Sequence, residues 1–243
     1  MIKIVVPISA GKDSQACLQL ALESYPGHEV LGLFCDTGWE HPLSYQHIDT
    51  MRQMYGVEIR RLQASTVEDE IKKAGRFPAP LIRFCTDRLK IKPSRRFYAD
   101  LRIEQGCGFE VWCGMRSGES TDRAKRYTGK LSDEVYAPHE INASYPRSLV
   151  KNGVMFRLPI LHWSTDEVID YVGIDRLNPL YKAGFQRVGC FPCLASTAKH
   201  QQNAYNFDSF GQSQKAKVIA LEVAIGKKHA TANTDQMCMF CHI

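Results

Sequence analysis

The chain has 243 residues, 44% hydrophobic and 23% charged, a balance that suits one large α/β unit and excludes disordered and fibrous classes. No apolar run approaches the ~18 residues of a membrane span, and Met1–Ser9 lacks the h-region and cleavage site of a secretory signal, so the expected location is the cytoplasm, with no membrane. The net charge of +5 is uneven: between Arg83 and Lys130 there are 12 Lys/Arg against 6 Asp/Glu. Such a stretch fits a polyanion (nucleotide phosphates, sulfate or nucleic acid), and equally a solvated helix face.

Strand and helix signals alternate. Ile2–Ile8 is a continuous apolar run, the pattern of a strand covered on both faces. Ser14–Tyr25 has helical spacing and closes on Pro26-Gly27. Val30–Cys35 reads as a strand, Leu43–Tyr55 as a helix, Val57–Leu62 as a strand and Val67–Ala74 as a helix. A helix from Thr86 to Glu104, interrupted at Pro93, precedes a strand at Phe109–Cys113. Ser164-Thr165-Asp166-Glu167 is a capping box opening a helix through Tyr171. From about Asn178 the pattern loosens, and the tail is expected to pack on the sheet as an appendage. Strands alternating with helices imply a doubly wound parallel sheet whose ligands bind beyond the carboxyl ends of the strands.

Ser9-Ala10-Gly11-Lys12-Asp13-Ser14 sits between the first strand and the first helix. There it presents backbone N–H groups at a positive helix terminus, with Lys12 and the Ser9 and Ser14 hydroxyls as further donors to an anion. It is not a Walker A loop. Lys12 and Asp13 are expected on an exposed loop. Nine cysteines, an odd count, argue against a complete disulfide framework; Cys190/Cys193 and Cys238/Cys241 stand at CxxC spacing. Cys17, Cys35, Cys107 and Cys113 lie in apolar runs and read as buried free thiols.

Ser-x-Gly-Lys-Asp-Ser resembles the PP-loop of the N-type ATP pyrophosphatases, and four further segments resemble the phosphoadenylylsulfate (PAPS) reductase branch. These are Asp36-Thr37-Gly38; Cys85-Thr86-Asp87-Arg88-Leu89-Lys90 with Pro93; Gly114-Met115-Arg116-Ser117-Gly118-Glu119-Ser120 with Arg123; and Arg157-Leu158-Pro159-Ile160 through Trp163, Asn178-Pro179-Leu180-Tyr181 and Gly189-Cys190-x-x-Cys193. The resemblance implies an adenine nucleotide alpha-hydrolase-like, Rossmann-type fold, with a PP-loop domain over residues 1–175 and a Cys-rich appendage over 176–243. It further implies that Ser9, Ala10, Gly11, Lys12, Asp13 and Ser14 cradle the β- and γ-phosphates of ATP, with Asp13 recruiting Mg²⁺. Asp36 and Thr37 would lie at the adenosine. Gly114 would let the backbone approach the nucleotide, and Arg116 would clamp a phosphate; the alternative is that Arg116 or Arg123 pairs with Glu119 or Asp122. Lys12, Asp13 and Arg116 are the expected catalytic residues. Ala10 replaces the usual first loop glycine, which is tolerable at negative φ.

The reductases' C-terminal Glu-Cys-Gly-Leu-His motif is missing; the chain ends Met237-Cys238-Met239-Phe240-Cys241-His242-Ile243. In this the chain resembles the ATP pyrophosphatases of DNA phosphorothioation systems, which implies a cysteine desulfurase as sulfur donor and DNA, or a DNA-bound partner, met through the Arg83–Lys130 stretch. Cys85, Cys190 and Cys193 match three of the four [4Fe–4S] ligand positions of related sulfonucleotide reductases, Thr86 standing at the fourth. Cys238 and Cys241 either complete that set or join Cys190 and Cys193 without Cys85, and zinc is the alternative metal. Two further readings stay open: a PAPS or adenylylsulfate reductase with a rearranged thiol, and a non-catalytic nucleotide- or Fe–S-binding subunit. A homodimer is one option for the assembly. His41, His162 and His242 belong to no recognised constellation; Trp39 and Trp163 read as packing residues, with Trp39 near enough to strand two to stack on an adenine.

Overall fold

The computed structural model describes residues 1–80 and 82–230. β1 (Ile4–Ile8) and β2 (Val30–Cys35) are buried along their whole length, which is why both read as unbroken apolar runs. β3 (Ile59–Leu62), β4 (Phe109–Trp112), β5 (Val135–Tyr136) and β6 (Val154–Arg157) complete a six-stranded sheet of order β3-β2-β1-β4-β6-β5. All neighbours are parallel except β5, which runs antiparallel to β6 at the edge. This is the expected adenine nucleotide alpha-hydrolase-like α/β fold.

The period of two along β1 divides the core. Ile4, Val6 and Ile8 face one layer, with Leu18 and Ala21 of α1 (Lys12–Ser24), Met51 of α2 (Pro42–Tyr55) and Val168; Val5 faces the other, with Tyr98 and Leu101. A third cluster joins Trp39, Val67 and Ile71 of α3 (Val67–Ala74) to Leu194, Tyr205, Val218 and Leu221. Successive strands run β1, β2, β3 to one side and β4, β6 to the other, so the switch point lies between β1 and β4. Those two strands pair only at Ile4 with Glu110 and Val5 with Val111. Beyond that point Pro7 has no N–H to offer, and the strands part toward their carboxyl ends.

Pro93 does not interrupt its helix. One turn at Phe84–Thr86 passes through a π-helical turn, Asp87–Ile91, into α4 (Lys92–Gln105), and Pro93 falls in its first turn, where a missing donor costs little. Downstream lie α5 (Thr121–Arg126), α6 (Thr165–Val172) with the expected Ser164–Glu167 capping box, and α7 (Pro179–Lys182). The loosened region after Asn178 also contains two regular helices, α8 (Ala198–Phe207) and α9 (Ser209–Ile225). Gly211 of α9 meets the backbone of Ala204, so a residue that reads as a breaker is the close contact between two helices. Leu177, Leu180, Val188, Phe191 and Ala204 belong to the same core layer as α1. No helix among the described residues is long and apolar enough to cross a membrane.

Candidate active site

The turn after β1 is held by its own serines. Ser14 Oγ donates to the Gly11 carbonyl at 2.8 Å and accepts the Ser9 N–H at 3.2 Å. The Ser9 hydroxyl in turn lies 3.3 Å from Ser14 Oγ, so both hydroxyls are engaged within the loop. Ala10 between them has φ +58° and is fully buried, so the condition of negative φ under which alanine is easily tolerated is not met: the loop keeps the left-handed shape a glycine would take, at a cost of ~1–2 kcal/mol for an L-residue. Lys12 and Asp13, expected on an exposed loop, are 5% and 1% exposed. Segments folded over the turn bury them.

Asp13 organises the cations. Lys12 Nζ donates to Asp13 Oδ2 at 2.8 Å, and Arg116 Nε donates to Asp13 Oδ1 at 2.6 Å. Both carboxylate oxygens already accept from cations, so Mg²⁺ at Asp13 would have to share an oxygen with Lys12 or Arg116 or displace one of them. Burial lowers the Lys12 ammonium pKa, and the neighbouring Asp13 only partly restores it. Arg116 also donates to the Trp163 carbonyl at 3.2 Å and to Thr165 Oγ1 at 3.3 Å. Its side-chain ion pair is with Asp13, neither Glu119 nor Asp122; Glu119 takes the Arg116 backbone N–H and a buried ion pair with Arg123. Burial lowers Arg123 to about 10. Arg123 is thus a structural cation behind the site.

Gly114 is small for a reason the sequence did not suggest. A Cβ there would stand 2.7 Å from the Asp13 carbonyl and 2.9 Å from the Ser14 nitrogen. The close approach is between the end of β4 and the start of α1, which is what brings Arg116 to Asp13.

Beyond β2, Asp36 is fully buried; burial raises its carboxyl pKa, but hydrogen bonds from Gly38 N–H at 2.8 Å, Tyr45 Oη at 2.7 Å and the Arg61 guanidinium hold it below the ordinary value. Thr37 Oγ1 donates to Glu40 at 2.7 Å. Trp39 is 1% exposed, and its indole N–H donates to the Pro192 carbonyl.

Lys12, Asp13, Arg116 and Glu119 line a cavity of about 630 Å³ together with Arg83, Tyr181, Arg187 and Cys193. Arg83 was expected only as the start of the basic stretch and Tyr181 only within the Asn178–Tyr181 segment; Arg187 had no expected role, and only its position three residues before Cys190 could have drawn attention to it. A second cavity, about 660 Å³, lies across the Gly184–Arg187 loop and is lined by Lys90, Arg187, Cys190, Cys193, Lys199 and His200.

Cys190 touches Thr37 Oγ1 at 3.5 Å; burial pushes its thiol up to about 12 against the pull of Lys90. Burial also raises Cys85, and Cys85, Cys190 and Cys193 are near enough for the charge on one to disfavour charge on another. Soft thiolate donors beside Lys90 and Arg83 suit a [4Fe–4S] cluster or zinc in their chemistry. Their placement falls short: among the described residues no three His, Cys, Asp or Glu side chains are grouped to hold a metal ion. Cys238 and Cys241 lie outside the described residues, as does His242. Cys17, Cys35 and Cys113 are buried free thiols as expected, while Cys107 is half-buried. His41, 3% exposed, pairs with Asp208 at 2.9 Å and serves packing.

Residues 3–196 match the phosphoadenosine phosphosulfate reductase domain. An uncharacterised protein of Methanocaldococcus jannaschii is 31% identical over 196 residues, covering 79% of this chain and 36% of that relative's own length. An adenosine 5'-phosphosulfate reductase of Rhodococcus erythropolis is 26% identical over 196 residues, covering 79% and 68%. Among solved structures, PAPS reductase from Candida auris in a phosphate complex superposes with a TM-score of 0.52 at 18% identity, covering 79% of this chain and 82% of that one. That likeness is one of fold.

Proposed function

The chain belongs to the phosphoadenosine phosphosulfate reductase domain family, a family of enzymes on a nucleotide-binding fold, and from that premise we propose that it is an ATP pyrophosphatase that activates an acceptor for sulfur incorporation. The observation that carries the reading is the Lys12–Asp13–Arg116 group at the β1/β4 switch point, facing a cavity that Arg83 and Arg187 also line. A polyphosphate entering there meets the N-terminus of α1 and several guanidinium groups, donors that stabilise charge developing on a leaving pyrophosphate. The acceptor oxygen attacks the α-phosphorus, the bond to the α–β bridging oxygen breaks, and that oxygen leaves with the pyrophosphate; with water as acceptor the products are AMP and pyrophosphate. Asp13 holds Lys12 and Arg116 in register for this step. Mg²⁺ supplies further charge neutralisation when bound with the nucleotide.

The acceptor proposed is the DNA backbone, approached through the basic Arg83–Lys130 stretch, with a cysteine desulfurase as sulfur donor and AMP as the group finally displaced. A [4Fe–4S] cluster, with zinc as the alternative, is proposed on Cys190 and Cys193, completed either by Cys85 and one tail cysteine or by Cys238 and Cys241; the described residues alone do not form such a site. A second reading, a sulfonucleotide reductase, is favoured by the name of the Rhodococcus relative and by Cys193 on the wall of the phosphate cavity. The full chain with Mg-ATP should release pyrophosphate and AMP in equal amounts, and Lys12→Ala should abolish release. Thioredoxin-dependent sulfite formation from PAPS or adenylylsulfate, without pyrophosphate from ATP, would select the second reading.

A further inference from the structure

The cavity beside the PP-loop has a second wall, formed by Tyr181 of the Asn178–Tyr181 segment and by Arg187, to neither of which the sequence assigns a site role. After α7 the chain turns back at Gly184, whose φ of +90° disfavours a side chain, and residues 185–188 then run over the PP-loop. The contact is close: a Cβ on Gly11 would stand 3.3 Å from both Tyr181 Oη and the Val188 carbonyl. The Lys12 N–H, one of the first-turn donors that no helix carbonyl can satisfy, donates to Tyr181 Oη at 3.0 Å. The Tyr181 hydroxyl proton has no acceptor among the described residues, and burial keeps the phenol protonated, so it is a donor on the cavity wall. Arg187 lines the same cavity and forms no ion pair among the described residues. Its charge reaches Lys12, Arg83 and Arg123, disfavouring theirs. The two carboxylates on the wall do not offset it, because Asp13 is held by Lys12 and Arg116 and Glu119 by Arg123.

We propose that Tyr181 and Arg187 form the second jaw of the phosphate site, so that the pyrophosphate portion of the nucleotide is gripped between the α1 N-terminus and residues 181–187. This rests on the nucleotide reading above and extends it to residues outside the PP-loop. Tyr181 donates to a terminal phosphate oxygen while still accepting from the Lys12 N–H. Arg187 supplies a guanidinium that no carboxylate among the described residues has claimed. Both act on the part of ATP that leaves, and neither is required by AMP.

Calorimetric titration of the full chain with inorganic pyrophosphate, ATP and AMP tests this. Arg187→Ala and Tyr181→Phe should each weaken pyrophosphate and ATP by ~tenfold or more, the loss expected for a hydrogen bond to a charged group. AMP affinity should stay within about twofold of the parent. Arg187→Lys should recover part of the loss, and Lys182→Ala, on the same segment but off the cavity wall, should bind all three ligands as the parent does. Parent-like pyrophosphate affinity in both jaw variants would overturn the proposal while leaving the nucleotide reading standing. Equal loss of AMP and pyrophosphate would overturn it in favour of a structural role. A parent protein that binds neither ATP nor pyrophosphate would remove the nucleotide reading itself, and this inference with it.

Discussion

Replacing Asp13 with alanine separates structural from catalytic charge in this site. Its carboxylate is 2% exposed, and the Lys12 and Arg116 side chains it faces are each 6% exposed, so water screens the group poorly. Removing the anion leaves two buried cations facing each other, and breaking a buried pair in this way costs about 3–5 kcal/mol. For a chain of this size that is a fall in Tm of roughly 6–20 °C. Lys12→Ala should cost less, about 1–3 kcal/mol, because Arg116 still satisfies Asp13. Thermal unfolding followed by circular dichroism checks both, with and without pyrophosphate. Pyrophosphate replaces the lost negative charge, so it should raise Tm more in Asp13→Ala than in the parent, although both variants lose ATP turnover. An Asp13→Ala protein melting within ~2 °C of the parent would refute the account of Asp13 as the buried counter-charge of Lys12 and Arg116.

Arg116→Lys should lose at least ~tenfold in ATP turnover, since an ammonium cannot meet Asp13, the Trp163 carbonyl and Thr165 together; steady-state kinetics equal to the parent would sink this. Ala10→Gly should leave stability within about 1 kcal/mol, relief of left-handed strain offsetting the lost methyl and the added chain entropy, whereas Ala10→Val should cost more than ~2 kcal/mol by denaturant titration. His47, 4% exposed and bonded to Gln15 at 2.9 Å, is lowered by burial to about 4. The unfolded chain therefore binds the extra proton first, and stability should fall between about pH 6.5 and pH 4 by on the order of 3 kcal/mol. His47→Gln should flatten that window, and an unchanged pH profile would show that His47 does not contribute to it.

The two central strands were legible because burial on both faces leaves them uniformly apolar. The PP-loop was legible from its place between a strand and a helix. β6 was passed over because Val154-Met155-Phe156-Arg157 is four residues long, alternating buried and half-buried, and lies among short turns. α9 carries apolar residues on opposite sides, Val218 and Leu221 buried and Ile219 and Val223 exposed, so it shows no narrow stripe, and Gly211 masks its start. Within the site, Lys12, Asp13 and Arg116 were visible as residue types, but their mutual pairing was not. It depends on β4 closing against α1 at Gly114, a contact between segments about a hundred residues apart. Tyr181 stood in a recognisable segment and Arg187 in none, but neither could be placed at the site for the same reason: only the fold brings residues 181–188 over residues 9–13.

The most direct test of the central claim is the fate of the γ-phosphate label when the full chain is incubated with [γ-³²P]ATP and Mg²⁺ and the products are separated by thin-layer chromatography. Cleavage between the α- and β-phosphates at the Lys12–Arg116 site places the label in pyrophosphate, and Lys12→Ala leaves it in ATP. Label appearing as orthophosphate, or remaining in ATP with the parent protein in the presence of the sulfur donor and DNA, would contradict it.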